Sequence, residues 1–204
     1  MRGNRASLEI PCTVVFVRHA ASKGAGSFVG QLDEPLSPAG RNQLRELVQK
    51  LSRFHFQAAF ASDLQRALAT AREAVQHTGV ELEIRAGLRE MYFGRWQGLS
   101  WKQVAKRYPR RTILWLKHFS SQPIPGAERF ADFRRRVKTE LKNIVRTNQG
   151  RCVLVVTHAG VIRVALADAL GMKQSHMFRM AQGPCAINVV DYFAGGVTVR
   201  CING

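Results

Sequence analysis

Thr13-Val14-Val15-Phe16-Val17-Arg18-His19 and Val153-Leu154-Val155-Val156-Thr157-His158 are the two stretches that decide the fold. Each is a short β-branched run that closes on a histidine. Such runs read as buried strands. In open α/β sheets the ligand site lies beyond the carboxyl ends of the parallel strands. Two histidines and Arg18 at two such ends predict one shared anion site, assembled from distant parts of the chain. That points to phosphate chemistry.

Outward from these strands, strand and helix patterns alternate, which predicts an α/β layered domain. Strand 12–18 is followed by a loop of small residues over 20–30. Ser37-Pro38 then opens a helix, with Ser37 as cap, Pro38 in the first turn and an apolar stripe of Leu44, Leu47, Val48 and Leu51. A short strand at 58–61 leads to a helix starting at Ser62 or Asp63, with Leu64, Leu68 and Ala71 facing inward. A strand at 81–84 precedes the irregular segment Leu88 to Gly98. Residues 100–118 read as helical and broken at Pro109. A basic helix over about 128–148 stops before Gly150. Strand 152–157, helix 160–170 and a hairpin of 186–192 with 197–202 complete the chain. Segment 98–127 is expected to be an insertion over the site.

The chain has 204 residues, 46% of them hydrophobic, enough for one domain with a real core. Residues 1–11 read as a flexible leader with no secretion signal, so a cytoplasmic location is the expectation. No stretch is long and apolar enough to span a membrane. The four cysteines (Cys12, Cys152, Cys185, Cys201) have no metal-ligand spacing and predict no disulfide framework. The formal charge is +17, and 13 Lys/Arg lie between Lys102 and Arg146 against Glu128, Asp132 and Glu140. Substrate steering, nucleic-acid or acidic-membrane binding, and a plain solvated helix surface compete to explain it, and the last carries most weight. No nucleic-acid motif accompanies the charge, so such binding is expected to be nonspecific at most.

Four groups of residues carry chemistry. A neutral imidazole at His19 is a nucleophile toward phosphorus, and Arg18 beside it offers a planar fork for phosphate oxygens. Arg66, in Ser62-Asp63-Leu64-Gln65-Arg66-Ala67, is placed near a helix start that favours an anion. An exposed Arg66 behind an Asp63 cap is an equal alternative. Glu90 lies in Leu88-Arg89-Glu90-Met91-Tyr92-Phe93-Gly94-Arg95-Trp96-Gln97-Gly98, where shielding by Phe93 and Trp96 would let its carboxyl carry a proton; the alternative is a glutamate paired with Arg89 or Arg95. His158 closes a strand before a helix, a place for an anion-contacting donor. Arg163, one turn later, reads as a helix-surface charge.

Together these elements resemble the histidine phosphatase superfamily, also called phosphoglycerate mutase-like, over about 12–203. Arg18-His19-Ala20 matches its opening element. The Ser-Asp-Leu-x-Arg-Ala-x-x-Thr-Ala element is matched at 62–71, Leu-x-Glu-x-x-x-Gly-x-Trp-x-Gly at 88–98, and Val-Val-Thr-His-x-Gly-x-Ile-Arg at 155–163. The family's glycine after the histidine is Ala20, its frequent Glu-Thr is Ala21-Ser22, and its later asparagine has no match, so Ser22 or Ser27 would substitute in substrate binding.

The resemblance implies a three-layer α/β/α sandwich with a mostly parallel sheet. It also implies a phosphomonoester phosphatase with His19 as nucleophile, Glu90 as proton carrier and Arg18, Arg66 and His158 around the phosphate. It implies neither metal nor cofactor, and a small phosphorylated substrate. Glu90 to Trp96, the turn at 125–128 and Phe178 to Gly183 resemble the α-ribazole phosphatase branch. The alternatives are a cofactor-dependent phosphoglycerate mutase, a phosphohistidine-protein phosphatase, and a non-catalytic basic anion- or nucleic-acid-binding protein on this fold. An oligomer is compatible with all of them.

Overall fold

The computed structural model describes residues 10–204. Most of the leader expected over 1–11 lies outside the described residues. Strands β1 (Cys12–Arg18), β2 (Ala58–Ala61), β3 (Leu82–Ile84), β4 (Cys152–Thr157), β5 (Ile187–Phe193) and β6 (Gly196–Cys201) form one sheet in the order β3-β2-β4-β1-β5-β6. The first four in that order are parallel; β5 and β6 are antiparallel to their neighbours.

The period-2 alternation of strand side chains sorts the core into two halves. Val14 and Phe16 of β1, with Val153 and Val155 of β4, face helices α5 (Phe130–Thr147) and α6 (Ala159–Ala169). Val15 and Val17, with Leu154 and Val156, face α1 (Pro38–Leu51) and α2 (Gln65–Val75). This is the three-layer sandwich, with β1 and β4 buried on both faces, as their unbroken apolar runs require. Each such Val or Phe contributes about 1.5–3 kcal/mol by leaving water. Helix α5 is amphipathic: Phe130, Phe133, Val137, Leu141 and Ile144 are buried on one stripe, while its arginines and lysines occupy the rest.

Two local devices shape the loop that follows β1. Ser37 caps α1 by accepting from the Gly40 amide (3.0 Å), and Pro38 opens the helix as expected. A Cβ at Gly40 would stand 2.0 Å from the Ala21 carbonyl, so glycine is what lets α1 press on this loop.

Helix α2 begins two or three residues later than the sequence predicts. Asp63 is not its cap, because Arg89 takes the Asp63 carboxylate through Nε (2.8 Å) and Nη2 (2.5 Å). The first-turn amide of Gln65 instead donates to Asp33 (2.7 Å).

Helices α3 (Trp101–Arg107) and α4 (Pro109–His118) meet at Tyr108, broken at Pro109 as expected. With Trp96 they form a satellite core of Val104, Ile124 and Trp115 that packs behind the loop at Phe28. Among the described residues no helix is long and apolar enough to cross a membrane, and the four cysteines are free.

Candidate active site

The register of β1 against β4 places Arg18 opposite Thr157, so the next residue of each strand is a histidine. The His19 amide donates to the Thr157 carbonyl (2.9 Å), and the two imidazoles meet edge to face with centroids 5.1 Å apart. Both rings are buried, His158 completely.

His19 Nδ1 lies 2.7 Å from its neighbour's carbonyl, that of Ala20. A carbonyl only accepts, so Nδ1 carries the proton and Nε2 keeps its lone pair. That lone pair accepts from Arg66 Nε at 3.2 Å. Burial first, then the charge of Arg66, push the His19 pKa down to about 3. The ring is therefore neutral at physiological pH. Burial, then His19 and the guanidinium groups of Arg66 and Arg18, likewise hold His158 well below the ordinary histidine range. His158 Nε2 pairs with Ser62 Oγ (2.9 Å), and its buried Nδ1 has no partner.

Arg66 is 1% exposed, which removes the surface reading. Its Nη1 and Nη2 donate to the carbonyls of Leu32 (2.7 Å) and Gly30 (2.6 Å), tying the loop to α2. Arg18 Nη1 donates to the Gln182 carbonyl (2.5 Å), while its buried Nε has no partner. Burial lowers the pKa of both arginines, and Glu90 nearby acts the other way.

Glu90 pairs with neither Arg89 nor Arg95. Its Oε1 accepts from the Met91 amide (2.8 Å) and its Oε2 from the Gly160 amide at the start of α6 (2.9 Å). Trp96 does not shield it as expected: that ring sits in the satellite core, while Phe93 lines the pocket with Glu90.

Arg18, His19, Arg66 and Glu90 share a cavity of about 140 Å³, rimmed by Ser22, Ser27, Val29 and Pro184. His158 lies behind His19 rather than on this wall. A cavity of about 730 Å³ between α5, α6 and the β5–β6 hairpin is larger but contains neither histidine. The convergence of groups, not size, locates the site. None of residues 98–127 lines the 140 Å³ cavity. Among the described residues no three His, Cys, Asp or Glu come together as a metal cluster.

Several residues that sequence reasoning passed over hold the site in place. Gln182 and Asn188 form a reciprocal, buried amide pair (2.8 and 2.9 Å) that fixes the carbonyl taken by Arg18. Thr70 Oγ1 accepts from the Ala20 amide (3.1 Å), and Thr157 Oγ1 donates to Leu88 (2.7 Å). Arg136 on α5 donates to the carbonyls of Gly87 and Arg89 below Glu90 (2.9 and 3.0 Å). Ser62, Thr70 and Thr157 lie inside the four motifs; Gln182, Asn188 and Arg136 lie outside them, Arg136 as one cation in a basic run. Arg163 is a correction: it is half-buried, with Nε on the Met180 carbonyl (3.0 Å) and its guanidinium over Phe178 (5.3 Å), because α6 packs against the turn at 174–179.

The family model of the histidine phosphatase superfamily (branch 1) matches residues 14–204, and the chain belongs to that superfamily. It is 28% identical over 179 residues to phosphoserine phosphatase 1 of Hydrogenobacter thermophilus, covering 87% of this chain and 85% of that protein. To the adenosylcobalamin/alpha-ribazole phosphatase of Salmonella typhimurium it is 27% identical over 191 residues, covering 92% and 94%. The crystal structure of the alpha-ribazole phosphatase from Shigella flexneri superposes with a TM-score of 0.85 at 23% identity, covering 94% of this chain and 96% of that one, and so shares the fold.

Proposed function

We propose that this protein is a metal-independent phosphomonoester phosphatase that works through phosphohistidine on His19. The observation that carries the reading is a neutral, buried His19 whose Nε2 lone pair rests only against Arg66, in a cavity holding two guanidinium groups and a carboxyl. Nε2 attacks phosphorus while the ester P–O bond breaks. The Arg66 Nε–H moves from Nε2 to a phosphoryl oxygen. The partnerless donor at Arg18 Nε supplies a second such contact, while His158, behind His19, packs against the nucleophile's ring. Positioned donors of this kind carry most of the stabilisation in phosphoryl transfer. Glu90 gives its proton to the leaving oxygen. It then takes one from the water that attacks phosphorus and breaks the P–N bond, releasing phosphate.

The rim bears on the substrate. Ala21, Ser22, Gly24, Ala25, Gly26, Ser27, Val29, Phe93 and Pro184 offer no charged side chain. An ammonium or carboxylate on the substrate body would lose water there without a partner. This supports a phosphate ester of an uncharged alcohol, as in α-ribazole 5′-phosphate, over phosphoserine. Ser22 and Ser27 are the hydroxyls available to such a body.

Hydrolysis of a chromogenic phosphomonoester in EDTA tests the reaction. The parent should turn over, and His19→Ala should lose about 10³-fold or more. Inertness of the parent from pH 5 to 8, or full activity of His19→Ala, would overturn it. A panel of α-ribazole 5′-phosphate, phosphoserine and 3-phosphoglycerate tests the substrate class through kcat/KM, with the uncharged alcohol's ester expected to lead.

A further inference from the structure

A proton carrier has to meet one particular oxygen, so the chain that holds Glu90 must keep a fixed position. Residues 89–93 belong to no helix or strand, and their carbonyls have no ladder to join. One side chain of α5 supplies the missing partners. Arg136 Nη1 donates to the carbonyls of Gly87 (2.9 Å) and Arg89 (3.0 Å), and Nη2 to that of Glu90 itself (3.4 Å). Its remaining donors go to the Glu128 carboxylate, from Nε at 3.1 Å and from Nη2 at 2.9 Å. A guanidinium has five N–H groups in one plane, and here each has an acceptor.

Glu128 closes on the other side of Glu90. Its Oε2 accepts from the Tyr92 amide (3.4 Å), and its own amide donates to the Tyr92 carbonyl (3.0 Å). The two residues thus grip the chain from Gly87 to Tyr92, with Glu90 in the middle. Both are shielded, with side chains 25% and 17% exposed, and the guanidinium stands over the buried ring of Phe133 (5.2 Å).

Helix α5 is itself fixed to α6, where Asp168 accepts from Lys138 (2.6 Å) and Arg134 (3.2 Å). The first turn of α6 holds the Glu90 carboxylate through the Gly160 amide. Backbone and carboxylate of Glu90 are therefore both referred to one pair of helices. Neither Arg136 nor Glu128 lines the cavity that holds His19.

We propose that Arg136, braced by Glu128, is a positioning residue for the general acid, setting the backbone of Glu90 where its carboxyl meets the leaving oxygen. This role rests on the phosphatase reading above, in which Glu90 carries that proton. Lysine cannot fill it, because three donors on a flexible stem do not serve a carboxylate and three carbonyls together.

The test uses leaving groups. Delivered protons matter most where the departing oxygen is basic: phenyl phosphate needs one, while dinitrophenyl phosphate releases a phenolate that leaves unaided. The ratio kcat/KM covers only the steps through P–O cleavage, so later hydrolysis of phosphohistidine does not enter. Arg136→Lys should lose on the order of 10²-fold in kcat/KM on phenyl phosphate, and at least about tenfold less on dinitrophenyl phosphate. Glu128→Gln should show the same selectivity to a smaller degree, and Glu90→Gln to the largest.

A loosened fold would lower both esters alike, since His19 and the phosphate contacts serve both. Equal losses in Arg136→Lys, or the parent's rate on phenyl phosphate, beside a selective loss in Glu90→Gln would overturn the positioning role alone. An unselective Glu90→Gln would overturn the acid, and the positioning role with it. Should Arg136→Lys lack a cooperative melting transition, Glu128→Gln decides by the same comparison.

Discussion

A histidine that attacks phosphorus must be neutral and must present a lone pair, and His19 satisfies both through burial and one carbonyl. Nitrogen NMR of the imidazole should therefore show the Nδ1–H tautomer from pH 8 down to pH 5; an imidazolium at pH 6 would contradict it. The same burial makes the fold acid-sensitive. Below the ordinary value of 6.5 the unfolded chain takes up protons that native His19 (about 3) and His158 refuse. Stability is complete above 6.5 and is lost as pH falls through the window toward 3, since the unfolded state then binds more protons. The Tm should drop between pH 7.5 and 5, a range above carboxylate titration, and drop less in His158→Gln; equal slopes would count against it. At this scale Arg18, His19, Arg66, Glu90 and His158 were legible because each lies in an ordered motif. Gln182 and Arg136 were not, because each acts through a carbonyl far away in sequence. Arg163 was misread because helical position alone does not reveal the turn at 174–179 packed over it.

The elements explain how these residues meet. Parallel pairing of β1 with β4 sets the histidines side by side, and α6 then begins at the Gly160 amide that holds Glu90. A Cβ at Gly160 would stand 2.2 Å from Glu90 Oε1, a side-chain end that can swing aside. Gly160→Ala should therefore fold and melt close to the parent while kcat falls by about 10²-fold or more, the scale of a lost general acid. Unchanged kcat with a lowered Tm would show that Glu90 has no proton to deliver. Strands β1, β2 and β4 were readable to the residue because doubly buried strands are continuous apolar runs. The start of α2 was not, since its capping group, Asp33, and the rival for Asp63, Arg89, both come from other loops. Segment 98–127 was set apart in the sequence as an insertion over the site, but its packing behind Phe28 was not readable there, being a contact set by aromatic rings from separate segments.

For the whole molecule, substrate steering by the charge of +17 toward a cleft containing two arginines is a testable alternative to a plain solvated surface. Raising salt from about 0.02 to about 0.3 M should lower kcat/KM for a phosphomonoester several-fold and leave kcat nearly constant, because screening acts on encounter. A salt-insensitive kcat/KM would mean the charge is merely solvated surface, the reading favoured by composition alone. Such measurements leave the chemical step itself to one experiment. The intact protein is mixed with a phosphomonoester, quenched in alkali because phosphohistidine is acid-labile, and digested for mass spectrometry. One phosphoryl group should appear on the peptide containing His19, decay as free phosphate is released, and be missing from His19→Ala. Steady turnover with no phosphoryl group on His19 at any time, or with the group on another residue, would contradict the mechanism.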